Sequence, residues 1–307
     1  MRIVFAGSPV TAVPTLDALI AAGHDVVAVV TRPDAPVGRR RVLTPSPVAT
    51  AAEERDLTVI RAARLDADAT EQILATDPEL GVIVAFGGLV REPLLSGPSA
   101  GWINLHFSAL PAWRGASPVQ QSIAHRSGAG ATVFQLVPDL DAGPVWSRRE
   151  RELTGEETSG ALLAELAVSG AADVVSVVDA IARGERPLEQ TGEPSFAPKL
   201  TAADARIDWD RAALDVIAHI RAMTPEPGAH TSVGETRVKV LAVDRATGAH
   251  PALEAGTVAS TDTGVFVGTA TEPIRLVTVQ PAGKKEMDAA SWWRGLGVDR
   301  GAEVAAS

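Results

Sequence analysis

The chain has 307 residues, enough for one large domain or two medium ones that each bury a core. Apolar residues make up 46% and charged residues 21%, a balance that excludes disorder over most of the length. Cysteine is absent, which removes disulfides, thiolate metal sites and a cysteine nucleophile, and the net charge of −10 means that any nucleic-acid contact must rest on a local basic patch.

The apolar run after Arg2 is too short for a signal peptide and stops at the glycine turn of Gly7. No stretch reads as both long and apolar enough to span a bilayer, so the chain is expected to be cytoplasmic. Residues 3–5 form a short apolar strand. Leu16, Leu19 and Ile20 then recur at helical spacing between Pro14 and Gly23. Residues 26–30 are a continuous β-branched and apolar run, as in a strand buried on both faces. The pattern continues as helix over 48–55, strand over 58–60, helix over 68–76, and strands over 81–85 and 103–105. This alternation predicts an α/β domain with a Rossmann-like, mostly parallel sheet and right-handed helical crossovers. Residues 131–136 and 145–149 flank a turn and read as a hairpin or as neighbouring strands. A long helix rich in Ala, Val and Leu spans about 159–182.

Residues 186–204 change character. They hold Pro187, Pro194 and Pro198 with little periodicity and read as a linker. A helix over 212–222 follows, then five short strands (230–233, 236–243, 257–259, 265–267 and 274–279). These predict a small, OB-like β-barrel. The expected division is a catalytic domain over 1–185, a linker over 186–205 and a C-terminal barrel over 206–307.

The most informative stretch is Ile103-Asn104-Leu105-His106-Phe107-Ser108-Ala109-Leu110-Pro111, continuing Ala112-Trp113-Arg114-Gly115-Ala116. A strand delivers Asn104 and His106 at its carboxyl end, and period-two alternation puts both on one face. That end of an open parallel sheet is where ligands bind. Further on, Leu140-Asp141-Ala142-Gly143 places a carboxylate before a glycine turn. Moving an acyl group between two nitrogens requires proton removal from the attacking amine, stabilisation of the oxyanion of a tetrahedral intermediate, and protonation of the leaving nitrogen. A histidine handles protons near neutral pH, an aspartate orients it and favours its charged form, and an asparagine amide donates to the oxyanion. Asn104, His106 and Asp141 supply this set without a metal. By residue type alone, the same residues also serve as turn formers or as a hydrogen-bonded core pair.

The Asn-Leu-His-Phe-Ser-Ala-Leu-Pro run with the later Leu-Asp-Ala-Gly resembles the formyltetrahydrofolate-dependent transferase family. The resemblance implies that Asn104, His106 and Asp141 are the catalytic trio and that 10-formyltetrahydrofolate is the formyl donor. It implies that Ser108, Ala109, Leu110 and Pro111 line the folate pocket, with Ala85, Phe86 and Gly87 as the pterin-contacting loop. Other segments resemble the branch of the family that acts on methionyl-tRNA: Phe5-Ala6-Gly7-Ser8-Pro9, Thr31-Arg32-Pro33-Asp34, Gly38-Arg39-Arg40-Arg41, Ala205-Arg206-Ile207-Asp208-Trp209 and Gln280-Pro281-Ala282-Gly283-Lys284-Lys285. They run almost end to end and imply methionyl-initiator tRNA as the acceptor. Phe107 and Ala109 depart from the family pattern at the implied folate site, and Glu226 departs from it where an aromatic is usual.

Residues 206–307 hold 11 basic and 13 acidic side chains, so RNA contact there needs a patch. The resemblance favours Arg39, Arg40 and Arg41 as one RNA-ordered loop, and Lys239, Lys284 and Lys285 as contacts on the barrel. No obligate protein partner is implied, and the chain reads as a monomer. The main rival within the family is a formyltransferase acting on an amino sugar nucleotide. A nicotinamide oxidoreductase is disfavoured because no glycine fingerprint follows a strand and opens a helix. The match of Gly97-Pro98-Ser99-Ala100-Gly101 to a serine-hydrolase elbow precedes a strand and has the wrong context.

Overall fold

The computed structural model describes residues 1–38, 41–248, 250–297 and 303–306. Its elements begin β1 (Arg2–Gly7), α1 (Val13–Ala21), β2 (Asp25–Thr31), β3 (Ala35–Val37), β4 (Val42–Thr44), α2 (Pro47–Glu53), β5 (Val59–Arg61), α3 (Ala67–Leu74), β6 (Leu80–Val84) and β7 (Trp102–His106). They continue β8 (Arg114–Gly115), α4 (Pro118–His125), β9 (Gly130–Gln135), β10 (Val145–Glu150), α5 (Ser159–Ala182) and β11 (Phe196–Ala197). The last are α6 (Ala213–Ala222), β12 (His230–Val233), β13 (Thr236–Arg245), β14 (Thr257–Thr261), β15 (Gly264–Val267), β16 (Ile274–Pro281), β17 (Met287–Asp288), α7 (Ala289–Gly295) and β18 (Glu303–Ala305). The chain divides into two compact units. One comprises Met1–Pro118, Gly128–Arg151 and Leu163–Ala197, and the other Val119–Ser127, Glu152–Leu162 and Pro198–Ser307.

The first unit is built on a seven-stranded sheet in the order β10-β9-β7-β6-β1-β2-β5. The pairs among β5, β2, β1, β6 and β7 are parallel, whereas β9 and β10 run antiparallel, so residues 131–136 and 145–149 are neighbouring strands. The core strands are apolar on both faces, with Ile3, Val4, Phe5 and Ala6 of β1 fully buried, as a sheet covered on both sides requires. Helix starts follow capping chemistry. Ser46 accepts from the Ala49 N–H ahead of α2, and Asp66 does the same for Ala69 ahead of α3. The chain leaves β1 toward β2 and later returns to its other side as β6. The order therefore reverses between β1 and β6, and the crevice of the sheet opens at their carboxyl ends.

Two expectations need correction. α5 has 24 residues and a mean hydropathy of 1.8 over its most apolar window, so by length and composition it is able to cross a membrane. In this fold 44% of that window is buried, with Leu166, Ala171, Val174 and Val178 in the core, while Glu165 and Asp173 pair with Arg151 and Arg149. Nor do residues 186–197 run as a free linker. Leu188 exchanges backbone hydrogen bonds with Val145, and β11 pairs in parallel with β8. The prolines suppress periodicity without preventing these short pairings.

The second unit carries the sheet order β12-β13-β16-β15-β14-β18. A bridge between Val233, at the end of β12, and Ala306, just after β18, closes the sheet on itself. Closure removes the free edges of a small antiparallel sheet. The five strands read from the sequence are thus joined by β18, and by the two-residue β17, which pairs with β16 off this path. The interior is filled by Trp209, Ile217, Val240, Val258, Val267, Ile274, Val279 and Trp293 among others. The short helix α7 was not anticipated. It starts at Asp288, whose carboxylate accepts from the Ala290 and Ser291 N–H groups, and it buries Trp292 and Trp293.

Candidate active site

β7 lies beside β6, with Ile83 opposite Asn104, and beside β9, with Thr132 opposite His106. Its last residue, His106, therefore stands at the carboxyl edge of the sheet, next to the reversal point. The ring is only 6% exposed and meets Phe134 edge-on, with centroids 6.3 Å apart. Its Nε2 lies 2.9 Å from the carbonyl oxygen of Trp113, and its Nδ1 lies 3.7 Å from Asp141 Oδ2. A carbonyl only accepts, so in the neutral ring the proton sits on Nε2 and the lone pair on Nδ1, toward the carboxylate. Burial pulls the His106 pKa below the ordinary histidine value; the Asp141 charge, and behind it the Trp113 carbonyl, oppose that shift.

Asp141 is held from several sides. Its Oδ2 accepts from the Gly115 N–H at 2.8 Å, and its backbone is left-handed with φ 48°, a conformation that Asp tolerates better than most residues. Gly143 follows because a Cβ there would fall 1.8 Å from the carbonyl oxygen of Gln135 in β9, so the turn can approach the sheet this closely only without a side chain. Gly115 is excluded from substitution in the same way, by the Ala197 carbonyl at 2.5 Å. Asn104 is half-buried, and its side chain makes no hydrogen bond among the described residues. Its amide is free to donate.

Ser108, Ala109, Leu110 and Pro111 are all buried. The Ser108 hydroxyl donates to the Ala112 carbonyl at 2.6 Å, and the Ser108 carbonyl accepts from Thr132 Oγ1, which in turn accepts from the Leu110 N–H. This segment shapes its loop through its own hydrogen bonds. Phe107 is buried as well, two residues from buried Ala109. Ala85 and Gly87, directly after β6, are exposed and left-handed, at φ 50° and 72°, while Phe86 between them is buried. Arg32, at the end of β2, stacks on the Phe86 ring and donates to the carbonyls of Phe86 and Gly87. It fixes a loop whose backbone faces the crevice end of the sheet. Gly101 of the hydrolase-like pattern precedes the amino end of β7, the opposite end from His106.

Arg39 and Arg40 lie outside the described residues. Arg41 is exposed, and its N–H closes a turn onto Gly38 in the β3–β4 connection, a hairpin on which Val37, Val42 and Leu43 are also exposed. In the second unit, Lys239 of β13 pairs with Gln280 of β16, and exposed Lys284 and Lys285 follow in the turn after β16, where Gln280 donates to the Lys284 carbonyl. Sequence reasoning names Arg206 only within the segment 205–209 and does not name Arg237, and it assigns neither as an RNA contact. His230 pairs with Lys239 and bridges to Arg206, so both arginines join the same basic region. It also gives no role to the Trp113 carbonyl, which meets His106 directly, to Gln190, which donates to the Asp141 carbonyl, or to Ser195, which reaches His106 through Trp113.

A buried acid–base histidine with a carboxylate on one side, a free amide on the same strand, and the mouth of an open α/β sheet around them suit group transfer at a carbonyl carbon. That much defines an enzyme class. Residues 1–178 match the family described as formyl transferase, and residues 199–297 match formyl transferase, C-terminal domain. The chain belongs to the formyl transferase family. A methionyl-tRNA formyltransferase from Clavibacter sepedonicus is 56% identical over 300 residues, covering 96% of this chain and 97% of its own. One from Thermobifida fusca is 49% identical over 306 residues, covering 98% of each chain. Among solved structures, an N-formyltransferase from Helicobacter canadensis, in complex with folinic acid and dTDP-3-aminofucose, superposes with a TM-score of 0.66 at 16% identity, over 90% of this chain and 99% of its own. HypX from Aquifex aeolicus in complex with tetrahydrofolic acid superposes with a TM-score of 0.61 at 17% identity over 97% of this chain, which spans 47% of HypX. These two structures share the fold.

Proposed function

We propose that the protein transfers the formyl group of 10-formyltetrahydrofolate to the amino group of methionyl-initiator tRNA. The observation that carries this reading is nearly full-length identity of 49–56% to relatives called methionyl-tRNA formyltransferase. The amino sugar nucleotide reading has only neighbours such as the Helicobacter protein, at 16% identity, on its side. When bound, 10-formyltetrahydrofolate supplies an activated formyl carbon on nitrogen. The exposed Ala85–Gly87 backbone, pinned by Arg32, fits the polar edge of a pterin ring, and the 108–111 loop forms a rigid wall beside it.

His106 Nδ1 takes up the proton that the attacking amine sheds, and Asp141 stabilises the resulting imidazolium. The 3.7 Å separation tightens as charge develops. The same ring then returns a proton to the leaving nitrogen. Asn104 donates its amide N–H to the formyl oxygen as that oxygen becomes negative, an interaction stronger in the transition state than in the ground state. RNA contact falls to the Arg39–Arg41 loop and to the Lys239, Lys284 and Lys285 region of the barrel. The reaction belongs in the cytoplasm, where charged tRNA is used.

The test is formyl transfer from 10-formyltetrahydrofolate to charged initiator tRNA by the purified protein, with His106→Ala beside it. Transfer that falls by several orders of magnitude in the folded variant supports the reading. Transfer to an amino sugar nucleotide but not to tRNA overturns the acceptor, and near-normal turnover in His106→Ala overturns the site.

A further inference from the structure

The segment expected to be a linker reaches both flanks of His106. On one flank, Gln190 uses both protons of its amide nitrogen: Nε2 donates to the Asp141 carbonyl at 2.8 Å and to the Gly143 carbonyl at 2.8 Å. Its Oε1 accepts from Arg114 Nη2 at 2.7 Å. Every donor faces an acceptor, so this network fixes the orientation of the amide. On the other flank, Ser195 Oγ accepts from the Trp113 N–H at 2.9 Å, and the carbonyl of Trp113 is the partner of His106 Nε2. Neighbouring backbone bonds tie the strap down: Arg114 N–H to the Ser195 carbonyl and Ala116 N–H to the Ala197 carbonyl, both at 2.8 Å.

Asp141 is held in a left-handed turn that only weakly specifies itself, since among the described residues the Gly115 N–H is the one hydrogen-bond donor to Oδ2 while His106 is neutral. Gln190 spans this turn from Asp141 to Gly143 and ties it to Arg114, the residue next to that donor. We infer that Gln190 is a positioning residue that sets the Asp141 carboxylate against His106 by donating to the carbonyls on either side of Ala142. This inference rests on the proposed function for the identity of the reaction, but its geometry concerns His106 whatever the acceptor is. A misplacement of about 1 Å in such a pair costs on the order of a hundredfold in rate.

The experiment compares Gln190→Ala and Gln190→Glu with the unmodified protein. Glutamate keeps the length, the shape and the bond from Arg114 but removes both donors and points an oxygen at two carbonyl oxygens. Both variants should lose about ten- to a hundredfold in kcat for formyl transfer while the KM values for folate and tRNA stay within about twofold. Recovery of kcat in Gln190→Glu would mean that the side chain only fills space, and an unimpaired Gln190→Ala would mean that it does nothing for Asp141; either result overturns the inference. Should the alanine variant not fold, the near-isosteric glutamate variant carries the test. His106 is also titrated by NMR, assigned with His106→Ala, in the unmodified protein and in folded Gln190→Ala (folded Gln190→Glu otherwise). A displaced midpoint supports the inference and an unmoved one overturns it. This readout holds even if the unmodified protein does not formylate tRNA, the result that defeats the proposed function instead.

Discussion

Replacing Asp141 by asparagine separates charge from shape. Asparagine tolerates the left-handed backbone at φ 48°, and its side-chain oxygen can still accept from the Gly115 N–H, so the turn and the fold persist. What disappears is a full negative charge 3.7 Å from His106 Nδ1, an attraction of about 4.5 kcal/mol for the imidazolium at an effective dielectric of about 20. Asp141 is 13% exposed, and solvent screening brings the net contribution to roughly 3 kcal/mol, about a hundredfold in kcat. The sign on pH follows from the same charge. Burial already lowers the His106 pKa and Asp141 works against it, so loss of the carboxylate lowers it further. The acid limb of the kcat profile should move to lower pH while the plateau falls. Steady-state formyl transfer between pH 5 and 8 measures both. A kcat within about threefold of the parent with an unmoved acid limb would refute the reasoning and leave Asp141 a turn residue.

Replacing Arg39, Arg40 and Arg41 together by alanine should raise KM for tRNA, flatten its dependence on log salt by about two, and leave the folate KM unchanged; an unaltered salt slope removes the loop from the RNA site. In the second unit, burial alone would raise the Glu157 pKa, but hydrogen bonds from Thr154, from its own backbone and from Gly155 outweigh it and hold it at about 2 against a reference of 4.5. The depressed value stabilises the fold fully above pH 4.5 and is lost as pH falls toward 2, so urea midpoints of the parent and Glu157→Gln should differ at pH 6 and converge near pH 2. A constant gap across that window would assign the difference to another cause.

The sheet was legible because its strands are continuous apolar runs and its first helix carries Leu16, Leu19 and Ile20 at helical spacing between Pro14 and Gly23. The barrel was legible up to its last strand. β18 is three residues long, lies far from the other strands in sequence, and is specified by pairing with β14, for which no local pattern exists. α7 was missed because a seven-residue helix offers too short a period to stand out. Within the site, Asn104 and His106 share a strand face by simple alternation, and Asp141 is marked by the glycine that follows at 143. The partners one step away were not legible. Trp113 acts through a backbone carbonyl, which any residue supplies, and Gln190 reaches Asp141 across 49 positions of chain from a proline-rich segment without periodicity.

An acidic chain and an RNA substrate are compatible because charge acts over distances set by screening, about 8–10 Å at physiological salt, and not over the whole molecule. His230 gives a local reading of that field. Burial lowers its pKa most, the Gly228 carbonyl opposes this, and Arg237, Lys239 and Arg206 then lower it further. The three cations come from segments separated in sequence. Arg206 precedes α6, and Arg237 and Lys239 lie on β13, which the pairing of β12 and β16 brings beside His230 and beside the turn carrying Lys284 and Lys285. Closing the barrel thus gathers positive charge that the chain, nearly neutral in this half, does not display in any linear window. The same logic extends to the hairpin of β3 and β4, where exposed Arg41 stands among exposed apolar residues: a small cationic patch can meet phosphate without altering a net charge of −10.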